Sequence, residues 1–233
     1  MNQFKIFYVK SIHITGHFLA CLGILTLCEK TNIRLIRWFR SLFSIYDLSD
    51  LVYLDLPWWT FDSIDFVESF LSSRNQARVF EWGSGASTIW LSKRCSEVIS
   101  IEHDMQWGEK VRSLASQNYP GTLLNIILPN YSGCIKSKKT GFEGQFFDDY
   151  VKSIREFDGK FDLIVIDGRA REACLAEAIK KLSKDGYILF DDTKRKRYQT
   201  AIKKTDLNQR HLSGLAVSLP FFNATDILSH PKL

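Results

Sequence analysis

From about Leu51 onward the chain alternates short β-branched and aliphatic runs with longer amphipathic stretches, and few architectures accommodate that alternation. A short continuous apolar run suits a strand buried on both faces. A longer amphipathic stretch suits the helix that carries the chain back across the sheet. The pattern therefore predicts an α/β fold with a mostly parallel sheet and crossover helices. Strands are expected at Arg78–Glu81, Glu97–Glu102, Leu123–Leu128, Phe161–Asp167 and Gly186–Phe190. Helices are expected just after Pro57, since proline suits a helix start, and over Ser87–Lys93, Met105–Gln117, Phe147–Phe157, Arg171–Ser183 and Tyr198–Lys204. After His211 the pattern changes to Leu215, Val217 and Leu219, then Phe221–Thr225 and Asp226–Ser229, which predicts two closing strands in a hairpin. Pro129–Gln145 carries three glycines and three lysines without periodicity, and reads as a mobile loop after the third strand, of the kind that covers a ligand or is an ordinary solvated insertion.

A length of 233 residues fits one domain, residues 51–233, preceded by a helical extension over residues 1–50. The hydrophobic fraction of 45% and charged fraction of 24% exclude a disordered chain and a polytopic membrane protein. Between Met1 and Tyr46, Lys5, Lys10, Lys30, Arg34, Arg37 and Arg40 stand against Glu29 alone, which accounts for the whole net charge of +5. The domain itself is thus neutral overall and shows no footprint for nucleic acid. Five scattered cysteines, none in a C-x-x-C pair, point to reduced thiols in a cytoplasmic protein rather than a disulfide framework or zinc cluster. His13 and His17 have helical spacing but lack a third ligand, so a structural role is expected of them.

Val79-Phe80-Glu81-Trp82-Gly83-Ser84-Gly85-Ala86-Ser87-Thr88 runs a strand into a Gly-x-Gly turn and a helix. Glycine admits positive φ and close approach of a ligand, and the helix start offers free N–H groups. The third glycine of a dinucleotide fingerprint is replaced by Thr88, and the acid Glu81 stands two residues before the first glycine. That combination suits a ligand with a cationic sulfonium and amino group better than a pyrophosphate. Glu81 is therefore expected to face the ligand, with ordering of the turn as its alternative role. A second strand ends in Glu102-His103-Asp104, roughly 20 residues beyond the first glycine, where a carboxylate can accept from both hydroxyls of a ribose. His103 is expected to contact the adenine or cap the next helix; for Asp104 a cap is expected. The fourth and fifth strands end in Asp167-Gly168-Arg169 and Asp191-Asp192-Thr193, which puts three carboxylates at the ligand-binding edge of the sheet.

Together these motifs resemble class I S-adenosylmethionine-dependent methyltransferases from about Pro57 to the C-terminus. Within that class, Pro57-Trp58-Trp59, Glu81-Trp82-Gly83-Ser84-Gly85, Glu102-His103-Asp104, Asp167-Gly168-Arg169 and Asp191-Asp192 resemble a bacterial group. The resemblance implies a Rossmann-like doubly wound sheet with a C-terminal antiparallel hairpin. It implies that Glu81, Gly83, Ser84 and Gly85 form the methionine-side turn, that Glu102 and His103 meet the adenosine, and that S-adenosylmethionine is the methyl donor. Asp167, Asp191 and Asp192 also resemble the magnesium-binding acids of catechol-type O-methyltransferases, although Asp192-Thr193 stands where those enzymes place an asparagine after the acid. The alternative is that these acids cap a helix or pair with Arg169 or Arg171. Asp167 or Asp191 is the expected base if an acceptor hydroxyl must lose its proton.

Arg169, Arg171 and the run Lys194-Arg195-Lys196-Arg197 flank the acidic tips and suit a small anionic acceptor, such as a uronic acid or phosphorylated sugar, as well as a solvated helix face. The competing functions are another transferase on the same fold and a non-catalytic adenosyl-ligand-binding or membrane-scaffold protein. Ser11–Cys28 is nearly free of charge, yet as a helix rising about 1.5 Å per residue it spans only about 27 Å of a hydrocarbon core some ~30 Å thick. Lys30, Arg34, Arg37, Ser41 and Ser44 then face one way, and Leu35, Ile36, Phe39, Leu42, Phe43 and Tyr46 the other. A basic amphipathic helix of this kind suits the cytoplasmic face of a membrane. Packing on the domain, or a homodimer interface, would bury the same faces.

Overall fold

The structure is a computed structural model that describes residues 3–74 and 76–231. The apolar runs form β1 (Arg78–Trp82), β2 (Glu97–Glu102), β3 (Thr122–Ile126), β4 (Phe161–Ile166) and β5 (Leu182–Phe190), followed by β6 (Asn208–Gly214) and β7 (Asn223–Ser229). They lie side by side in the order β3-β2-β1-β4-β5-β7-β6. β1 to β5 pair in parallel, and β7 runs antiparallel to both β5 and β6. The chain reverses its direction of travel across the sheet between β1 and β4, the position at which doubly wound folds open a crevice at the strands' carboxyl ends. This is a Rossmann-like sheet with an antiparallel C-terminal hairpin, as expected.

The two-residue period of the strands sorts their side chains into two cores. Val79, Val98, Leu163, Val165 and Leu189 pack under α4 (Leu48–Tyr53), α5 (Phe61–Ser72), α6 (Ala86–Ser92) and α7 (Met105–Asn118). Phe80, Trp82, Ile99, Ile164, Ile166 and Phe190 pack under α8 (Asp148–Lys152), α9 (Arg171–Lys181) and α10 (Lys196–Ile202). β1, β2, β4 and the second half of β5 are thus buried on both sides, which is why these segments read as nearly continuous apolar runs.

Several boundaries differ from expectation for identifiable reasons. The helix expected over Phe147–Phe157 is only the short α8, followed by a 3-10 turn at Ser153–Glu156. β5 starts at Leu182, where it pairs with Phe161 before a register shift, so α9 stops two residues early. The first hairpin strand is Asn208–Gly214, not the Leu215–Leu219 segment. Leu215 and Val217 instead stitch the chain to the Pro57 turn: Phe61 N donates to Leu215 O and Val217 N to Trp59 O, each at 2.9 Å.

The extension comprises α1 (Gln3–Cys21), α2 (Ile24–Glu29) and α3 (Arg34–Ser41), ahead of α4. Gly23, at φ 72°, breaks the apolar Ser11–Cys28 stretch between α1 and α2, and no helix among the described residues is long and apolar enough to cross a membrane. α3 docks on the domain with the side expected to be polar and outward. Ser41 and Ser44 are fully buried while Leu35 is 59% exposed. The domain offers that side polar partners: Ser218 N donates to Ser41 Oγ at 3.0 Å, and Trp38 Nε1 to Leu219 O at 2.9 Å. Arg40, buried, holds Glu29 at 2.6 Å and Asp50 at 2.7 Å, and Arg34 pairs with Asp62 and Asp65. Two of the extension's six basic residues, Arg34 and Arg40, are therefore matched by carboxylates of the same chain. His13 has the structural role expected of it, with Nε2 2.9 Å from Ile45 O.

Candidate active site

A cavity of about 770 Å³ opens at the carboxyl ends of β1, β2, β4 and β5. Its floor is the turn after β1. Gly83 has φ 98°, and a Cβ there would lie 2.7 Å from the backbone of Gly168, so the turn and the Asp167-Gly168 tip approach too closely for any side chain. At Gly85 the situation is reversed. An added Cβ would meet nothing nearer than 3.9 Å, so the glycine leaves open room in the cavity. Thr88, at the place of a third fingerprint glycine, accepts from Gly85 N at 3.0 Å and removes that N–H from any phosphate. The turn thus suits an adenosyl amino acid better than a dinucleotide, as its sequence implies.

Glu81 does not face this space. It is fully buried beneath the turn, outside the cavity wall, where its carboxylate accepts from Ser87 Oγ at 2.5 Å, Thr88 Oγ1 at 2.6 Å and Ser100 Oγ at 2.7 Å. Side chains two residues apart on a strand share a face, and Glu81 shares the α6 face with Val79 while the turn opens beyond the strand's end. The expectation that it meets the ligand directly is corrected to a role in fixing the first turn of α6. Burial raises its pKa, and the three hydroxyl donors offset this only in part, leaving it at about 7.

Glu102, by contrast, lines the cavity. Its Oε2 accepts from Ser84 N and Oγ at 2.9 and 3.0 Å, and its Oε1 from the backbone N–H groups of His103 and Asp104 at 2.7 and 3.0 Å. Burial favours the neutral acid, but these donors and His103 outweigh it and hold Glu102 below the usual carboxylate range. The Ser84 hydroxyl is the one side-chain donor of the four, so another hydroxyl can replace it without disturbing the backbone. His103 Nε2 accepts from Arg169 Nε at 3.2 Å, so in the neutral ring the proton sits on Nδ1, 2.6 Å from Glu102 Oε1. Asp104 caps α7 as expected, accepting from Trp107 N at 2.9 Å. Trp107 was not singled out from the sequence. Its Nε1 donates to Ser84 O at 2.8 Å and its ring lines the cavity, a role that nothing distinguishes from an ordinary amphipathic helix position.

The three acidic tips all line the same cavity, but they do not converge as a metal site. Between Asp167 and Asp191 stands the guanidinium of Arg171. Nη2 donates to Asp167 Oδ1 and to Asp167 O at 2.8 Å, Nη1 donates to Asp191 O at 2.6 Å and lies 3.5 Å from Asp191 Oδ2, and Nε donates to Gly168 O at 3.1 Å. Asp192, at φ 63°, turns to Arg195, whose Nε is 2.6 Å from its Oδ2, and Asp191 Oδ1 accepts from Thr225 Oγ1 at 2.9 Å. Among the described residues no three acidic, histidine or cysteine side chains group as metal ligands. The donor set therefore does not fit magnesium: the cation these two acids share is Arg171. Of the two outcomes weighed for Asp167, pairing with Arg171 is the one found.

Burial pushes Asp167 well above the ordinary carboxylate range, and the neighbouring Asp191 adds to the effect against the opposing charge of Arg171. Asp191 is raised by the same burial, with Arg171 and the Thr225 hydroxyl opposing. The loop between β3 and α8 forms the facing wall with Ser137, Lys138, Lys139 and Phe142. It is pinned at its base, where Asn130 and Phe146 exchange backbone hydrogen bonds at 2.8 Å and Asp148 Oδ2 accepts from Cys134 N and Ile135 N at 2.9 Å. Tyr46 and Trp58 complete the rim from the segment before α5.

This sheet order, the Gly-x-Gly turn and the acid at the tip of β2 are those of an S-adenosylmethionine-dependent methyltransferase. In agreement, residues 80–193 match a family model described as a methyltransferase domain. The fold is similar to that of an O-methyltransferase from Bacillus cereus in complex with S-adenosylhomocysteine, at 15% identity over 79% of this chain and 90% of that one, TM-score 0.59. It is also similar to an rRNA methylase from Streptococcus thermophilus, at 11% identity over 72% and 96%, TM-score 0.51. A methyltransferase-like protein from Silicibacter pomeroyi is 21% identical over 72% and 87%, TM-score 0.45. No curated protein matches the sequence.

Proposed function

We propose that this methyltransferase acts on a hydroxyl of a sugar or another small metabolite, with Asp167 taking the proton. The observation that carries the reading is that one cavity joins the Gly83–Gly85 turn and Glu102 to Asp167. S-adenosylmethionine supplies an electrophilic methyl on a positive sulfur, so alignment provides much of the acceleration. The protein's part is to hold the adenosine at Glu102 and the amino acid over the turn. Asp167 Oδ1 is bonded to Arg171, and Oδ2 accepts no hydrogen bond among the described residues, which leaves it for the acceptor. A carboxylate with a raised pKa is a better base than an ordinary one, and Arg171 fixes its orientation.

The test is methyl transfer from labelled S-adenosylmethionine to a panel of hydroxylated small molecules by wild type and Asp167→Asn. The variant is expected to keep its affinity for S-adenosylhomocysteine and to lose about 10²–10⁴-fold in kcat, the usual contribution of a positioned base. Full turnover in Asp167→Asn would remove the base. Retention of the ligand without transfer to any hydroxyl would favour a binding protein.

A further inference from the structure

The cations at the cavity rim are unequally matched. Lys138 is 2.8 Å from Glu172, Arg195 is held by Asp192 and Arg171 by Asp167 and Asp191. Lys139 and Arg169 also line the cavity, and among the described residues neither has a carboxylate within ion-pair distance. Arg169 spends only its Nε, on the ring of His103; its Nη1 and Nη2 donate to no protein acceptor among the described residues. Its guanidinium is braced 5.5 Å from the centroid of Phe142, which fixes it without neutralising it.

We infer that Lys139 and Arg169 form a subsite for an anionic group, a carboxylate or phosphate, carried by the methyl acceptor. This rests on the methyltransferase reading above and narrows its substrate class. Arg171 and Arg195 have their own carboxylates, but Lys139 and Arg169 do not, and four separate segments bring these cations to one rim, where like charges oppose one another. Burial first, then Arg169, Lys5 of α1, Arg171 and Arg195, lower the Lys139 pKa to about 8. An anion seated among these groups relieves that repulsion and offers acceptors to the free guanidinium nitrogens, which suit a carboxylate or phosphate geometrically. The wall beside them is aromatic: Tyr46 and Trp58 meet edge to face at 4.9 Å, and Lys5 Nζ stands 4.4 Å over the Tyr46 ring. The acceptor that fits is a hydroxylated ring bearing a carboxylate or phosphate, with the ring against Tyr46 and Trp58 and a hydroxyl toward Asp167.

The methionine carboxylate of the methyl donor has the same chemistry, so the experiment must separate the two sources. Inorganic phosphate is titrated by calorimetry into full-length protein saturated with S-adenosylhomocysteine, for wild type, Lys139→Gln and Arg169→Gln. Wild type is expected to bind phosphate saturably, and each variant about tenfold or more weakly, the effect of losing a charge-assisted hydrogen bond. Absence of saturable binding, or binding undiminished in both variants, would overturn the subsite. A second arm compares S-adenosylhomocysteine with 5′-methylthioadenosine, which lacks the amino-acid carboxylate. If Lys139→Gln weakens the first and spares the second, the pair serves the methyl donor and the assignment to the acceptor falls. Failure of wild type to bind S-adenosylhomocysteine at all is a different result, and overturns the reading on which this one rests.

Discussion

Replacing Glu81 by Gln separates an acid that orders the turn from one that touches the ligand. Its carboxyl sits fully buried among three hydroxyls, and its pKa lies at about 7 against an ordinary 4.5. Below pH 4.5 the group is protonated whether the chain is folded or not, and its contribution is fully present. As pH rises toward 7, the unfolded chain releases a proton that the folded one retains, so stability falls and levels off once the folded group has also ionised. A difference of this size corresponds to about 3 kcal/mol. Gln is neutral throughout, its amide can accept from two of the hydroxyls, and the remaining hydroxyl can rotate to accept from its NH₂. Urea unfolding of wild type and Glu81→Gln from pH 4.5 to pH 8 should therefore show the stability difference moving by about 3 kcal/mol in the variant's favour as pH rises. Groups that do not feel the Glu81 charge titrate alike in the two proteins and cancel; Glu102 and Asp167, which do feel it, add a smaller contribution. A difference that does not change with pH would refute the reasoning, and with it the claim that burial dominates at Glu81. Affinity for S-adenosylhomocysteine should change less than about threefold, well under one hydrogen bond's worth. A hundredfold loss without loss of stability would return Glu81 to the ligand.

Glu102→Ala removes the carboxylate expected to meet the ribose and should weaken S-adenosylhomocysteine binding about tenfold or more in calorimetry; unchanged affinity would take Glu102 out of the site. Because Arg171 stands where a divalent ion would bridge Asp167 and Asp191, transfer activity should persist in excess chelator, and loss of activity restored by magnesium would show the arrangement to be wrong. Arg171→Ala leaves the two acids facing each other uncompensated, and a destabilisation of about 3–5 kcal/mol is expected in denaturant unfolding.

The features legible in the sequence were those imposed by burial on both faces of the sheet. β1, β2 and β4 announce themselves because they are buried on both faces and mostly apolar, Gly83 because the close approach of Gly168 admits no side chain, and Glu102 because an acid at a strand tip stands out from its apolar run. β6 escaped because it is the outer edge strand: Asn208-Gln209-Arg210-His211 is exposed and shows no apolar alternation. The role of Glu81 was misjudged because spacing from the glycine does not say on which side of the turn the side chain lies, and three hydroxyls from α6 and β2 decide it. The metal motif is limited in a similar way. Asp167, Asp191 and Asp192 satisfy a pattern of types, but Arg171, four residues after the first acid, reaches back from α9 into the space between two of them.

The extension has a part in the site that its composition conceals. Its basic residues look like a surface feature, yet Arg40 closes a buried network with Glu29, Asp50 and Ser44, and Trp38 and Ser41 fasten α3 to Leu219 and Ser218. The same loop turns Leu219 and Phe221 toward the cavity, and the chain leaving α3 delivers Tyr46, at φ 58°, to the rim beside Trp58. A residue with positive φ outside glycine is held by its surroundings, and here the surroundings are α1, through Lys5, and the Trp58 ring. Moving α3 would therefore move both aromatic walls and one of the cations around Lys139, while the Gly83 turn and Glu102, fixed by β1 and β2, would stay. The donor end of the cavity belongs to the sheet; the rim at Tyr46 and Lys139, where we place the acceptor, depends on how the extension docks.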